Sequence, residues 1–186
     1  GTRTAVAGSN TRVTATVPTT SGVQISWRAR GKRGHTVSRA SYRGRLSGDA
    51  GVWTAKLDVE LLGEESAVLP LLPRSVTLSD LRVDGKRATI LVEGNRFATV
   101  INGRGRHEVE LDFQTAVIAG EVPPRVGFEI PQIPVSRFEL TLPGKKELTL
   151  QPAANVTTRT EGKTTVAVAH VPMTGQVSLS WSEAVP

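Results

Sequence analysis

From Trp53 to Leu61 every second residue is apolar. Trp53, Ala55, Leu57, Val59 and Leu61 fall on one side, and Thr54, Lys56, Asp58 and Glu60 on the other. Side chains of an extended strand point alternately to opposite faces, so this run demands a strand with one dry and one wet side. A helix would scatter the same residues around its axis. The alternation recurs along the chain. Val13, Ala15 and Val17 alternate with Arg12, Thr14 and Thr16, and Val109, Leu111 and Phe113 with Glu108, Glu110 and Asp112. Phe138, Leu140 and Leu142 alternate with Arg137, Glu139 and Thr141. No segment of ten or more residues shows helical spacing with caps.

The pattern predicts about 12–14 strands joined by short turns. Asp84-Gly85 and Gly94-Asn95 have the composition of two-residue hairpin turns, because these residues tolerate positive φ. They divide residues 75–114 into a meander with strands near 75–83, 87–93, 96–102 and 106–114. Val68-Leu69-Pro70-Leu71-Leu72-Pro73 is apolar but carries two prolines, which suits an edge strand or a crossover between sheets. Further strands are expected near 36–46, 125–130, 135–142, 146–151 and 154–160. The expected fold is therefore all-β, an antiparallel β-sandwich, with two small sandwich subdomains packed end to end as the alternative. Residues 1–10 are small and polar and are expected as a flexible N-terminal segment. Residues 11–186 form one large unit, or two at 11–120 and 121–186 if Ala119-Gly120-Glu121-Val122-Pro123-Pro124 is a domain boundary.

One pattern occurs twice. TRVTATVPTTSGVQISW at 11–27 and TVAVAHVPMTGQVSLSW at 165–181 share 8 of 17 positions at a constant offset of 154. Each reads as a hairpin, and the rare Pro and Trp stay in step (Pro18 with Pro172, Trp27 with Trp181). Duplication explains this as one repeat unit followed by the first hairpin of the next.

Composition narrows the function classes. The chain has no cysteine, which excludes disulfides, thiolate catalysis and cysteine-ligated metal. No apolar run approaches the roughly 20 residues that a membrane helix needs. The net charge of +6 is local. Arg28, Arg30, Lys32, Arg33, Arg39, Arg43 and Arg45 fall within residues 28–45 without an intervening acid, and the rest of the chain is near neutral. Guanidinium groups pair with phosphate, sulfate or carboxylate in forked geometry, so these seven residues are the candidate polyanion-binding site. Anionic lipid, acidic polysaccharide and nucleic acid all fit, although a lone Tyr42 gives little stacking surface for bases. The bland alternative is a solvated strand whose arginines pair with acidic strand faces.

No catalytic constellation stands out. His35 lies in the basic segment, His107 opens a strand, and His170 replaces Thr16 of the first copy. No metal-ligand spacing and no nucleophile elbow appear. Glu108, Glu110 and Asp112 share one strand face, as do Asp58 and Glu60. Alternate positions have the spacing of a glycosidase pair, but also that of an ordinary wet sheet face. Each tryptophan continues an apolar strand face, which makes it core rather than a sugar platform. Asn155-Val156-Thr157 matches a glycosylation acceptor. No catalytic residue, cofactor or metal site is expected.

The short strands and Leu-Pro breaks resemble, in texture, the accessory β-sandwich repeats of large bacterial cell-envelope proteins. That resemblance implies a non-catalytic structural or interaction module of a larger extracytoplasmic protein. Its partners would be neighbouring domains of the same chain, another envelope protein, or an acidic polymer or membrane surface. A polyanion-binding module and a carbohydrate-binding or carbohydrate-active domain are the alternatives.

Overall fold

In a computed structural model, residues 34–63, 65–118 and 120–185 are described in full, and three N-terminal strands by their backbone. These are β1 (Thr2–Arg3), β2 (Ala15–Pro18) and β3 (Gln24–Trp27). The remaining strands are β4 (His35–Ser47), β5 (Ala50–Leu61), β6 (Ser66–Pro73), β7 (Thr77–Val83), β8 (Lys86–Arg87), β9 (Leu91–Glu93), β10 (Arg96–Asn102), β11 (Gly105–Ala116), β12 (Arg125–Glu129), β13 (Val135–Pro143), β14 (Lys146–Gln151), β15 (Val156–Glu161), β16 (Thr164–Pro172) and β17 (Gln176–Glu183). The described residues contain no helix, so the fold is all-β as the alternation requires.

Eight strands form the main sheet, in the order β15-β16-β13-β4-β5-β11-β7-β8. Two three-stranded sheets, β6-β10-β9 and β12-β17-β14, share its apolar core and make the second layer of a sandwich. Within these three sheets the pairing is antiparallel except between β13 and β4, which run parallel. β1, β2 and β3 form a fourth sheet of their own.

The count of 17 among the described residues exceeds the expected 12–14 for local reasons. The strand expected at 87–93 breaks into β8 and β9. The segment expected to be a flexible lead-in contains β1, paired parallel with β3. The expected meander is also divided between layers, because β7 and β11 lie in the main sheet and β9 and β10 in a small one. Turn chemistry reads through. Asp84 and Gly85 both have positive φ, 52° and 79°, and close the β7–β8 hairpin at Val83↔Lys86. The proline-broken β6 is an edge strand.

The aromatic centre of the core joins elements from both sides of residues 119–124. The Tyr42 ring of β4 stacks on Phe138 of β13 with centroids 4.6 Å apart. Phe128 of β12 meets Trp53 and Phe113 edge-on at 5.4 and 5.7 Å. The indole of Trp53 donates to Thr115 Oγ1 at 2.9 Å, so its polar edge is satisfied inside a dry layer. Trp53 and Trp181 are both buried, as the continued apolar faces predict. The side chain of Trp27 lies outside the described residues.

The two copies of the repeated pattern fold differently. β2 and β3 pair with each other, Ala15 opposite Trp27. β16 and β17 do not. β16 lies between β13 and β15 in the main sheet, and β17 between β12 and β14 in the facing one. The expectation of a second hairpin at 165–181 is thus corrected: Pro172–Gly175 carries the chain from one layer to the other.

Candidate functional site

Of the seven basic candidates, Arg28, Arg30, Lys32 and Arg33 lie outside the described residues. Arg39, Arg43 and Arg45 occupy the outer face of β4, because Ala40, Tyr42 and Gly44 take the inner one. A bulge between Val37 and Arg39 sets Arg39 opposite Asp58 of β5. Arg39, Asp58 and Glu60 line an open groove of ≈ 560 Å³ with Arg106, His107 and Glu108 of β11. Both signs of charge meet there, so it presents no cationic cradle.

The parallel pairing of β4 with β13 places Arg43 beside Glu139. Glu139 is 8% exposed, and three guanidinium groups converge on it. Arg43 Nε lies 2.8 Å from Oε2, and Arg159 Nη2 and Arg137 Nη2 lie 3.4 and 3.7 Å from Oε1. Arg159 also holds Glu161 at 2.8 Å. These carboxylates, Glu161 first, raise the pKa of Arg159 further. One carboxylate facing three arginines leaves this part of the outer face with excess positive charge. Arg45 adds to it and makes no ion pair among the described residues.

Glu110 and Asp112 are neutralised from the other side, by a residue that charge clustering did not single out. Arg82 of β7 donates to Glu110 Oε1 at 2.7 Å and to Asp112 Oδ2 at 3.1 Å, and it also pairs with Asp80. Glu110, followed by Asp112, raises its pKa. Thr54 Oγ1 donates to the remaining Asp112 oxygen at 2.8 Å. Glu110 and Asp112 are therefore held by partners on an open surface, while Glu108 lines the groove beside them. Of the described arginines of this segment, Arg43 pairs with Glu139 rather than with this face. Register decides it: β5 separates β4 from β11, whereas β13 adjoins β4 directly. Arg137 and Glu139 were visible as outward positions of their strand, but a parallel neighbour distant in sequence gives no local signal.

The histidines are dispersed. His35 is half-buried, which lowers its pKa. His170 is exposed, opposite Arg137. His107 is held by Asp84 Oδ2 on Nδ1 and by the Gly103 carbonyl on Nε2, both at 2.6 Å. Asp84 also accepts the Glu108 backbone N–H at 2.9 Å, so this cluster ties the β7–β8 turn to β11. Among the described residues, no three His, Asp or Glu side chains are grouped to hold a metal ion.

No known family and no curated protein matches the chain in sequence. Solved structures do match in shape. An M1 zinc metallopeptidase from Deinococcus radiodurans superposes with a TM-score of 0.53 at 12% identity, over 81% of this chain and 43% of that one. Leukotriene A4 hydrolase from Saccharomyces cerevisiae gives 0.56 at 13%, over 83% of this chain and 30% of that one. The likeness is one of fold. The chain spans less than half the length of either protein, and the overlap is with a β-rich portion.

Proposed function

We propose that the chain is a non-catalytic β-sandwich module of a larger polypeptide, acting through its surfaces rather than a reaction centre. The observation that carries this reading is the outer face of the main sheet. Glu110 and Asp112 are held by Arg82 and Thr54 across an open surface, and in the neighbouring groove, lined by Ser38, Asp58 and His107, both imidazole nitrogens are already bonded, to Asp84 and to the Gly103 carbonyl. Catalysis needs groups held in a water-excluding site, and an open ladder of ion pairs does not supply one. The partial overlap with longer chains supports the modular part of the reading. The texture shared with envelope-protein repeats supports a bacterial, extracytoplasmic setting. The test is turnover of aminoacyl-arylamides by the purified chain, with and without added Zn²⁺. No release above blank is expected. Release that is lost in Glu110→Gln or Asp112→Asn would overturn the proposal.

A second reading has its own observation. Arg43, Arg45, Arg137 and Arg159 crowd the β4–β13–β15 side of the outer face against Glu139 and Glu161, which suits a sulfated or phosphorylated polymer. Retention on a heparin column should fall in Arg43→Ser/Arg45→Ser and in Arg30→Ser/Lys32→Ser/Arg33→Ser. Elution at low salt, unchanged in both variants, would remove this reading.

A further inference from the structure

The sequence repeat read alone makes 11–27 the opening of one unit and 165–181 the opening of the next. The structure reverses the phase. β16 and β17 are the last two strands of the sandwich, and they belong to opposite layers. We propose that residues 2–27 are closing strands of a preceding sandwich of this same fold, so that the chain carries strands of two successive modules. This rests on the modular reading above and adds the partner: a second copy of the fold, immediately upstream.

Three observations support it. The first is which positions repeat. Of the eight identities, five fall on buried residues of the second copy: Thr165, Ala169, Val171, Val177 and Trp181. The buried Leu179 is matched by Ile25. Pro172 and Thr174, two of the other three, belong to the crossing between layers. A sequence that repeats the core-facing positions and the crossing is built to fill the same place between two sheets. The second is an extension of the match. Gly8 stands at the same offset of 154 from Gly162, the positive-φ glycine of the β15–β16 turn, and Thr4 from Thr158. The match thus extends by two residues, toward the β15–β16 turn.

The third is what surrounds each copy. Thr165 is 4% exposed, and its hydroxyl donates to the Gly144 carbonyl at 2.6 Å while accepting the Lys146 N–H at 3.1 Å. That contact joins β16 to the turn between β13 and β14, 21 residues earlier. Among the described residues β2 and β3 pair with no strand of this sandwich: with β1 they form a separate sheet, β3 pairing antiparallel with β2 and parallel with β1.

The experiment uses the whole chain, with equivalent substitutions at the two copies. Val171→Ala and Trp181→Ser should lower the urea midpoint, followed by circular dichroism, by about 1 M or more for the first and further for the second. Val17→Ala and Trp27→Ser should leave it in place. A drop at Val17→Ala matching that at Val171→Ala would put 11–27 inside this sandwich and overturn the proposal. The parent reading frame gives an independent check. About 120 residues upstream of Gly1 should align with 34–154 at the same offset, with aromatics opposite Tyr42, Trp53, Phe128 and Phe138. Unrelated sequence there would equally overturn it. Neither readout depends on turnover, so a catalytic result would sink the functional proposal and leave this one standing.

Discussion

Trp53 and Thr54 are neighbours on β5 and lie on opposite faces of the main sheet. Trp53 is 1% exposed, among Phe113, Phe128 and Phe138. Thr54 donates to Asp112, which is held in turn by Arg82. The inner face gains from area removed from water, roughly 25 cal/mol for each Å² of apolar surface. The outer face gains from ion pairs that solvent weakens. The same strands thus carry two kinds of interaction of unequal weight. Fold lives on the first, and whatever distinguishes this surface from that of other sandwiches lives on the second.

The comparison breaks first, if it breaks, at Trp53. Trp53→Ala removes the ring, leaves a cavity and orphans the Thr115 hydroxyl, and should cost about 3–5 kcal/mol. Chemical denaturation of the variant measures this directly, and a loss under about 1 kcal/mol would contradict a dry aromatic centre. The neighbouring Gly44 tests packing from the other direction. A Cβ built there lies 2.4 Å from Trp53 Cε3, so β4 needs glycine where the indole crosses it. Gly44→Ala should cost about 1–3 kcal/mol through overpacking. An unchanged midpoint would mean that the ring has room to move.

The inner face was legible in the sequence because it depends on one strand at a time. The alternation of 52–62 gives its buried set residue by residue, and Asp84-Gly85 announces its own turn. What depends on two distant segments was not legible. The convergence of Arg43, Arg137 and Arg159 on Glu139 needs β4 beside β13 in parallel register, almost 100 residues apart in the chain. The same limit explains the misread repeat. VPxT between two apolar runs fits a hairpin turn or a crossing between layers, and only the strands on either side decide which. The basic segment looked like one site for a similar reason: contiguity in sequence suggested contiguity in space, whereas alternate residues of β4 enter the core.

On the outer face, Arg82→Ala should sharpen the comparison by its size and its salt dependence. It leaves Asp80, Glu110 and Asp112 facing one another without their shared cation. A loss of about 1 kcal/mol is expected at low ionic strength, because the network is partly exposed. The charges left behind repel across a few ångströms of mostly aqueous surroundings, so added salt should relieve part of the loss. Denaturation at low and high NaCl separates this from packing. An equal loss at both concentrations would mean that the arginine stem, and not its charge, is what matters.

The smallest expected effect is at His107. Its two nitrogens face two acceptors, Asp84 Oδ2 and the Gly103 carbonyl, and only imidazolium can donate to both. The Asp84 hydrogen bond, then that to Gly103, raises the His107 pKa above 6.5. The Glu108 N–H, followed by His107, lowers the Asp84 pKa below 3.8. The signs follow from linkage. The raised histidine contributes stability that is complete below pH 6.5 and fades as pH rises through its folded value. The lowered aspartate contributes stability that is present above 3.8 and is lost as pH falls through its own folded value. Between those limits the clamp is fully charged. Arg39, Asp58, Glu60, Arg106 and Glu108 share the groove with His107, so the imidazole is tested by a variant that changes it alone. The difference between the native chain and His107→Gln isolates the clamp. That difference should be largest near pH 5.5 and shrink by pH 8.5, with a span of about 1 kcal/mol or less, typical of a hydrogen bond to a charged group near the surface. A difference that stays constant across this range would mean that the imidazole holds the turn by shape alone, and that the outer face has no titrating element tied to the hairpin it covers.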